Sequence, residues 1–224
     1  MKAELDPASP LPASFKSLKV LVVDYESGNL RSVAKALEKA GVSPIISGDP
    51  KELALADAVI LPGVGAGDSA MEALGRRGLV EPLRGFVASG RPFLGVCLGL
   101  QLLMESTEEG DAPCLGIIPG RVRRLPAGLK VPHMGWNLVE LGGQHPVLKD
   151  VPNEAYFYFV HSYYVEPKEE QLTIGVTEYS LKFCSVLARD NILATQFHPE
   201  KSGYWGLKVY RNFVEHAALV AAGS

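Results

Sequence analysis

Residues 94–101 read LGVCLGLQ and set a cysteine between glycines, Gly95-Val96-Cys97-Leu98-Gly99. A thiol there could act as a nucleophile if it sits on a sharp strand-to-helix turn. Arg91-Pro92-Phe93-Leu94 before it is a short apolar run after a turn and reads as a buried strand. Leu98 to Glu105 behind it carries helical spacing. Glycines permit the sharp turn, and a helix N-terminus behind the sulfur favours the thiolate. A buried structural cysteine beside turn glycines fits the pentapeptide equally well. The distinction rests on whether the chain supplies a base.

A cysteine nucleophile requires a base and a group that orients the base. Gln196-Phe197-His198-Pro199-Glu200 offers both. In an extended segment, residues two apart face the same side, so His198 and Glu200 can lie side by side, with Pro199 stiffening the pair. A carboxylate there would set the imidazole tautomer and stabilise its protonated form. Pro62-Gly63-Val64-Gly65-Ala66-Gly67 is glycine-rich but matches neither GxGxxG nor a Walker loop. It reads as a tight turn or as a loop whose amides face the elbow as oxyanion donors. His145 and His216 read as surface residues, on a turn and on the last helix. His133 lies in VPHMGWN and His161 in the aromatic run YFYFVHSYY (156–164). Alternate side chains of that run must point outward, and an outward aromatic face suggests an interface.

These groups need a scaffold. The chain has 224 residues, 47% hydrophobic and 21% charged, with a net charge of −3. That suits one globular α/β domain over 18–224 and argues against a nucleic-acid binder. Arg121-Val122-Arg123-Arg124 is too short to change this and reads as a solvated strand edge. Cys97, Cys114 and Cys184 show no metal-like spacing, and their odd number fits a reducing, cytoplasmic compartment without disulfides. Cys114 and Cys184 read as inert fillers. No metal, cofactor or membrane contact is expected. Residues 1–17 read as a disordered tail rather than a signal peptide.

Along the chain, Leu18–Asp24, Val42–Ser47, Ala56–Leu61 and the elbow strand alternate with helices near 30–37, 68–75 and 79–89. Ser27-Gly28-Asn29 offers the first N-cap and Gly41 a helix stop. That alternation predicts an open parallel sheet with helices on both faces. The second half adds strand-like runs at Gly116–Leu125, Trp136–Leu141, Tyr156–Val165 and Leu172–Glu178, a hairpin at 185–197, and a final helix near 204–218. The expected fold is α/β, an open mixed, mainly parallel sheet of flavodoxin-like type with antiparallel additions.

The elbow GVCLGLQ, the upstream PGVG and the downstream QFHPEKSG together resemble the class I, triad-type glutamine amidotransferases over about residues 18–218. DYESGNLRSV, LPGVGAG, VPHMGWN, YFVHSYY and FHPEKSG resemble, within that class, the glutaminase subunits of imidazole glycerol phosphate synthases. The resemblance implies that Cys97 attacks the carboxamide of L-glutamine, that His198 moves the proton and that Glu200 orients His198. It implies oxyanion donors at Leu98 and at Val64-Gly65, and a glutamine pocket lined by Gln101, Glu109, His161 and Ser162. It further implies a (β/α)8 cyclase partner that receives the ammonia, with Trp136, Tyr158 and Lys201 at the interface. It implies, too, that glutaminase activity stays low until the partner is bound and occupied, by the usual proposal through a flip of the PGVG peptide.

The triad alone leaves open amidotransferases of anthranilate, pyridoxal phosphate, purine or GMP synthesis. A cysteine-elbow hydrolase and a non-catalytic binding module are the rivals outside the class. Two positions depart from the family pattern. Glu26 stands where Gly is usual, and Gly67 stands where an aromatic often follows the loop.

Overall fold

The computed structural model describes residues 17–26 and 29–223. The expected tail therefore lies almost wholly outside the described residues, as do Ser27 and Gly28 of the first cap.

The first half alternates as its pattern requires. β1 (Val20–Val23), α1 (Leu30–Lys39), β2 (Ile45–Ser47), α2 (Pro50–Ala54), β3 (Ala58–Gly63), α3 (Gly67–Arg76), α4 (Val80–Ala88), β4 (Phe93–Cys97) and α5 (Leu98–Gln101) follow in order. The second half contains β5 (Ser106–Thr107), β6 (Gly120–Arg124), β7 (His133–Leu141), β8 (Glu154–His161), β9 (Tyr163–Pro167), β10 (Thr173–Glu178), β11 (Lys182–Arg189), β12 (Ile192–Thr195) and α6 (Gly203–Gly223).

The strands form one sheet in the order β2-β1-β3-β4-β12-β11-β10-β7-β8, with β5, β6 and β9 as a branch on β11. From β2 to β12 all pairs are parallel. From β12 to β8 all are antiparallel. This is the mixed sheet expected, a parallel core with antiparallel additions. Both faces of the parallel core are dry. Val20, Val22, Ile60, Leu94 and Val96 pack with α1 and α6 on one face. Leu21, Val23, Val59, Leu61 and Phe93 pack with α3 and α4 on the other. Strands buried on both faces carry continuous apolar runs, as these do.

Register positions the chemistry. Gly63 pairs with Cys97 across β3–β4, and Thr195 pairs with Val96 across β12–β4. The glycine loop, the elbow and the segment leaving β12 therefore emerge side by side at the C-terminal edge, where open α/β sheets place their sites.

Two elements differ from expectation for local reasons. The helix behind Cys97 ends at Gln101 rather than Glu105. The carbonyls of Leu102, Leu103 and Met104 are taken by the amides of Leu115, Ile118 and Gly116, each at 2.8 Å, so the chain turns into a tertiary contact. The aromatic run breaks at Ser162 into β8, which pairs with β7, and β9, which pairs with β6 and touches β11. That break sets His161 and Ser162 at the edge beside the elbow.

Gly99 makes the elbow compact, because a Cβ there would lie 1.8 Å from the Leu61 carbonyl oxygen. A side chain would push α5 off β3. Gly99→Ala is expected to cost about 1–3 kcal/mol by overpacking. Gly75→Ala in α3, with open space around it, is expected to stabilise by up to about 1 kcal/mol through helix propensity. Urea midpoints of the two variants check the opposite signs.

Candidate active site

Cys97 ends β4 with φ 54° and ψ −106°. A non-glycine residue held at positive φ costs about 1–3 kcal/mol and persists only where the surroundings enforce it. Here β3, β12 and α5 do so. Cys97 is 5% exposed, with its sulfur 3.9 Å from the Val160 carbonyl oxygen and 3.7 Å from Gln196 Nε2.

His198 and Glu200 do come together, though by a different route from the one expected. Pro199–Lys201 is a single 3-10 turn rather than extended chain, and the turn brings Glu200 Oε1 to 2.8 Å from His198 Nδ1. The turn is pinned to β8: the His198 amide donates to the Tyr158 carbonyl at 2.9 Å. The Ser202 hydroxyl donates to the His198 carbonyl at 2.6 Å and accepts the Tyr158 amide at 3.0 Å. Both side chains of the pair are 1% exposed. Burial alone would push His198 down; the adjacent Cys97 sulfur and the Glu200 carboxylate outweigh it and raise the imidazole to about 10. Burial would likewise push Glu200 up, but His198 and Asn29 hold it below the usual carboxylate range. His198 Nε2 makes no hydrogen bond, although the Cys97 sulfur is close enough to raise the ring.

Two supports of Glu200 escaped the sequence reading. Asn29, the N-cap residue of α1, makes no side-chain cap; its Nδ2 instead donates to Glu200 Oε1 at 3.3 Å. The Tyr210 hydroxyl of α6 donates to Oε2 at 3.3 Å, and burial together with Glu200 keeps that phenol protonated, well above its ordinary range. Asn29 lies in a quoted motif and Tyr210 on the buried stripe of the last helix. Nothing local in either segment points at a carboxylate 171 or 10 residues away.

A cavity of about 390 Å³ opens over Cys97, lined among others by Val64, Gly65, Leu98, Gln101, Glu109, His161, Ser162 and Lys201. Nine sequence-predicted residues, Cys97 included, thus meet at one cavity. His198 and Glu200 are absent from its lining, and Trp136 and Tyr158 are not among its walls. Trp136 is 55% exposed on β7 and meets the Tyr158 ring edge-on at 6.2 Å, while the Lys201 ammonium lies 5.7 Å from the Tyr158 ring centre. The outward alternation of the aromatic run is therefore present.

Several expectations need refinement. His161 borders the cavity, but both its ring nitrogens are engaged: Nδ1 with the Tyr163 carbonyl at 2.8 Å and Nε2 with His133 Nδ1 at 2.9 Å. His145 and His216 are not freely solvated. Their rings meet at 6.0 Å, and burial and His216 push His145 down to about 4. Arg121 and Arg123 are paired with Glu166. Glu26 occupies φ 72°, a backbone region that suits glycine. Its carboxylate pairs with Arg76 and Arg77, each at 3.2 Å. It does share a second cavity, about 160 Å³, with Val64 and Gly65. Gly67, at a position where the family pattern often has an aromatic, is tethered: its amide donates to Glu109 Oε2 at 2.6 Å.

Among the described residues no group of three or more His, Cys, Asp or Glu is arranged to hold a metal. None of their helices is long and apolar enough to cross a membrane.

A strained cysteine at a parallel-sheet edge, backed by a buried His–Glu pair, defines the chain's class, and comparison agrees. Residues 21–217 match the family model "Glutamine amidotransferase class-I", and the chain belongs to that family. Within it the chain falls among the HisH subunits of imidazole glycerol phosphate synthase. It is 50% identical over 193 residues to the subunit from Desulfitobacterium hafniense strain DCB-2, covering 86% of this chain and 92% of that one. It is 52% identical over 199 residues to the subunit from Trichormus variabilis, covering 87% and 94%. Among solved structures, PurLQS from Thermotoga maritima superposes with a TM-score of 0.71 at 17% identity, over 89% of this chain and 98% of that chain. A putative GMP synthase component from Thermoplasma acidophilum gives 0.69 at 22%, over 92% and 96%. These two share the fold.

The paired histidines generate a pH dependence. Burial lowers His133 from 6.5 to about 4. Burial, joined by His133 and His198 and opposed by the Tyr163 carbonyl, lowers His161 to about 3. The unfolded chain binds these protons first, so their contribution is full above about pH 6.5 and is lost as pH falls toward 4 and 3. Thermal unfolding between pH 7.5 and 4.5 is expected to show a falling midpoint, and His161→Gln a shallower fall over the same range.

Proposed function

We propose that this chain is the glutaminase subunit of an imidazole glycerol phosphate synthase, and that Cys97, His198 and Glu200 are its catalytic triad. The supporting observation is the buried His198–Glu200 pair, 2.8 Å apart, whose imidazole is raised by the neighbouring Cys97 sulfur. The names of the half-identical relatives support the pathway.

In this reading L-glutamine enters the cavity over Cys97. Because the imidazole is raised, the proton from Cys97 already rests on His198 Nε2, and the thiolate attacks the carboxamide carbon. The oxyanion is met by the Leu98 amide, at the start of α5, and by an amide of the Val64-Gly65 segment. His198 returns the proton to the amide nitrogen, the C–N bond breaks and ammonia leaves. A glutamyl thioester remains on Cys97. Water, deprotonated by His198, then releases glutamate and restores the thiolate. Glu200 holds the imidazole with Nδ1–H toward itself, leaving Nε2 to face the reaction. Glu109 supplies a carboxylate for the substrate ammonium and Gln101 Oε1 a second acceptor. Both Gln101 N–H groups are already used, by Tyr163 and Gln196.

The ammonia passes to a (β/α)8 cyclase partner that makes imidazole glycerol phosphate and aminoimidazole carboxamide ribotide. The exposed Met134, Trp136 and Tyr156, with Tyr158 and Lys201, form the docking face. Gly65, at φ 96°, is the pivot that lets the neighbouring peptide turn its N–H toward the oxyanion when the partner binds. The compartment is the cytoplasm.

Glutamate formation, assayed with and without the cyclase partner and its ribotide ligand, tests the function. Activity is expected to rise on adding both and to fall about 10³-fold or more in Cys97→Ser. Cyclase-independent binding to an anthranilate or pyridoxal-pathway synthase would overturn it. Asn29→Ala and Tyr210→Phe each remove one hydrogen bond to Glu200. Each is expected to lower kcat about three- to tenfold with little change in KM for glutamine, as read from steady-state kinetics of the complex.

A further inference from the structure

Gln196 opens the FHPE segment but has no part in the triad. It is wholly buried at 0% exposure, which is costly for an amide unless its groups are paired. Its pairing can be followed from one fixed end. Gln101 Nε2 lies 2.9 Å from the Tyr163 carbonyl oxygen. A carbonyl only accepts, so the Gln101 NH2 group must face Tyr163. Its second hydrogen meets Gln196 Oε1 at 3.2 Å. With its oxygen committed there, Gln196 turns its NH2 toward Cys97, 3.7 Å from the sulfur. The backbone carbonyl of Tyr163 thus sets the orientation of both amides.

The two neighbours of the sulfur favour opposite charge states. Val160 O, at 3.9 Å, can only accept and so suits the S–H form. Gln196 Nε2 can only donate and so suits the thiolate. We propose that Gln196, oriented by Gln101, is a hydrogen-bond donor to the nucleophilic sulfur that stabilises the thiolate and aims it into the cavity. The proposal rests on the reading of Cys97 as nucleophile. The ionisable groups around the sulfur are His198 with Glu200 behind it, and Glu109, His161, Tyr163 and Lys201, which border the same cavity.

The test is the pH dependence of Cys97 alkylation by iodoacetamide in the full chain, followed by peptide mass. Gln196→Leu removes the donor and is expected to move the alkylation midpoint up by about one pH unit. Gln196→Glu keeps an acceptor for Gln101 but turns a carboxylate oxygen to the sulfur, and is expected to move it further. In the cyclase complex, kcat is expected to fall about tenfold while KM for glutamine changes less than about twofold. Unchanged midpoints in variants with native circular dichroism would overturn the proposal.

A measurement on the unmutated chain covers the case in which the variants misfold. The Gln196 side-chain amide resonances are expected to shift through the Cys97 titration and on alkylation, while those of exposed Gln144 do not. Gln196 resonances that stay put would also overturn it. Failure of the glutaminase reading has a different signature, no glutamate formed by the unmutated chain with its partner, because alkylation and resonance shifts report on the sulfur whatever the substrate.

Discussion

A carboxylate sealed from water is the constraint around which this molecule is arranged. Glu200 is 1% exposed at its side chain, and a buried charge is tolerated only when it is paired and hydrogen-bonded. Its partners come from three places. His198 lies two residues earlier, Asn29 starts α1, and Tyr210 lies on α6. Satisfying one charge therefore docks the first and last helices against the turn that follows β12. Asn29 gives up its own helix cap to do so. Removing any partner weakens the hydrogen bonding of a buried carboxylate, so the demands of the candidate site and of the fold coincide at this residue.

The sheet supplies the second condition. Parallel strands in register end level, so β3, β4 and β12 deliver the glycine loop, the elbow and the histidine turn to one edge without long loops. Close backbone approach keeps them there: Gly99 sits against Leu61, and Gly206 lets α6 ride on the carbonyl of Pro199. Around the elbow, polar groups are arranged in chains whose direction is set at a backbone carbonyl. Tyr163 anchors the Gln101–Gln196 amides and also His161, which accepts from His133. The motifs VPHMGWN and YFVHSYY meet in that second chain as paired strands, with His133 opposite His161. Both histidines stay neutral because burial opposes their charge.

Much of the candidate site was legible because the chemistry expected of it needs rare residue types in short, distinctive settings. Cys97 between glycines and the His198-Pro199-Glu200 segment announce themselves within a few residues. The parallel core was legible for a similar reason, since strands buried on both faces leave apolar runs such as VLVV. Misreadings arose where long-range contacts overrode local pattern. The helix after Cys97 stops early because residues 115–118 claim its carbonyls. His198 and Glu200 meet through a 3-10 turn rather than an extended strand. His145 and His216, apart in sequence, lose water to one another.

The sequence by itself determined the candidate groups for chemistry and the alternating order of strands and helices. These follow from side-chain chemistry and from spacing along one segment, which are local properties. Only the tertiary structure decided which residues stand behind those candidate groups. Asn29 and Tyr210 reach Glu200, and Gln196 faces Cys97, because the sheet order brings together residues up to 171 positions apart. A hydrogen bond depends on distances of about 3 Å, and no one-dimensional pattern encodes such a distance between remote segments.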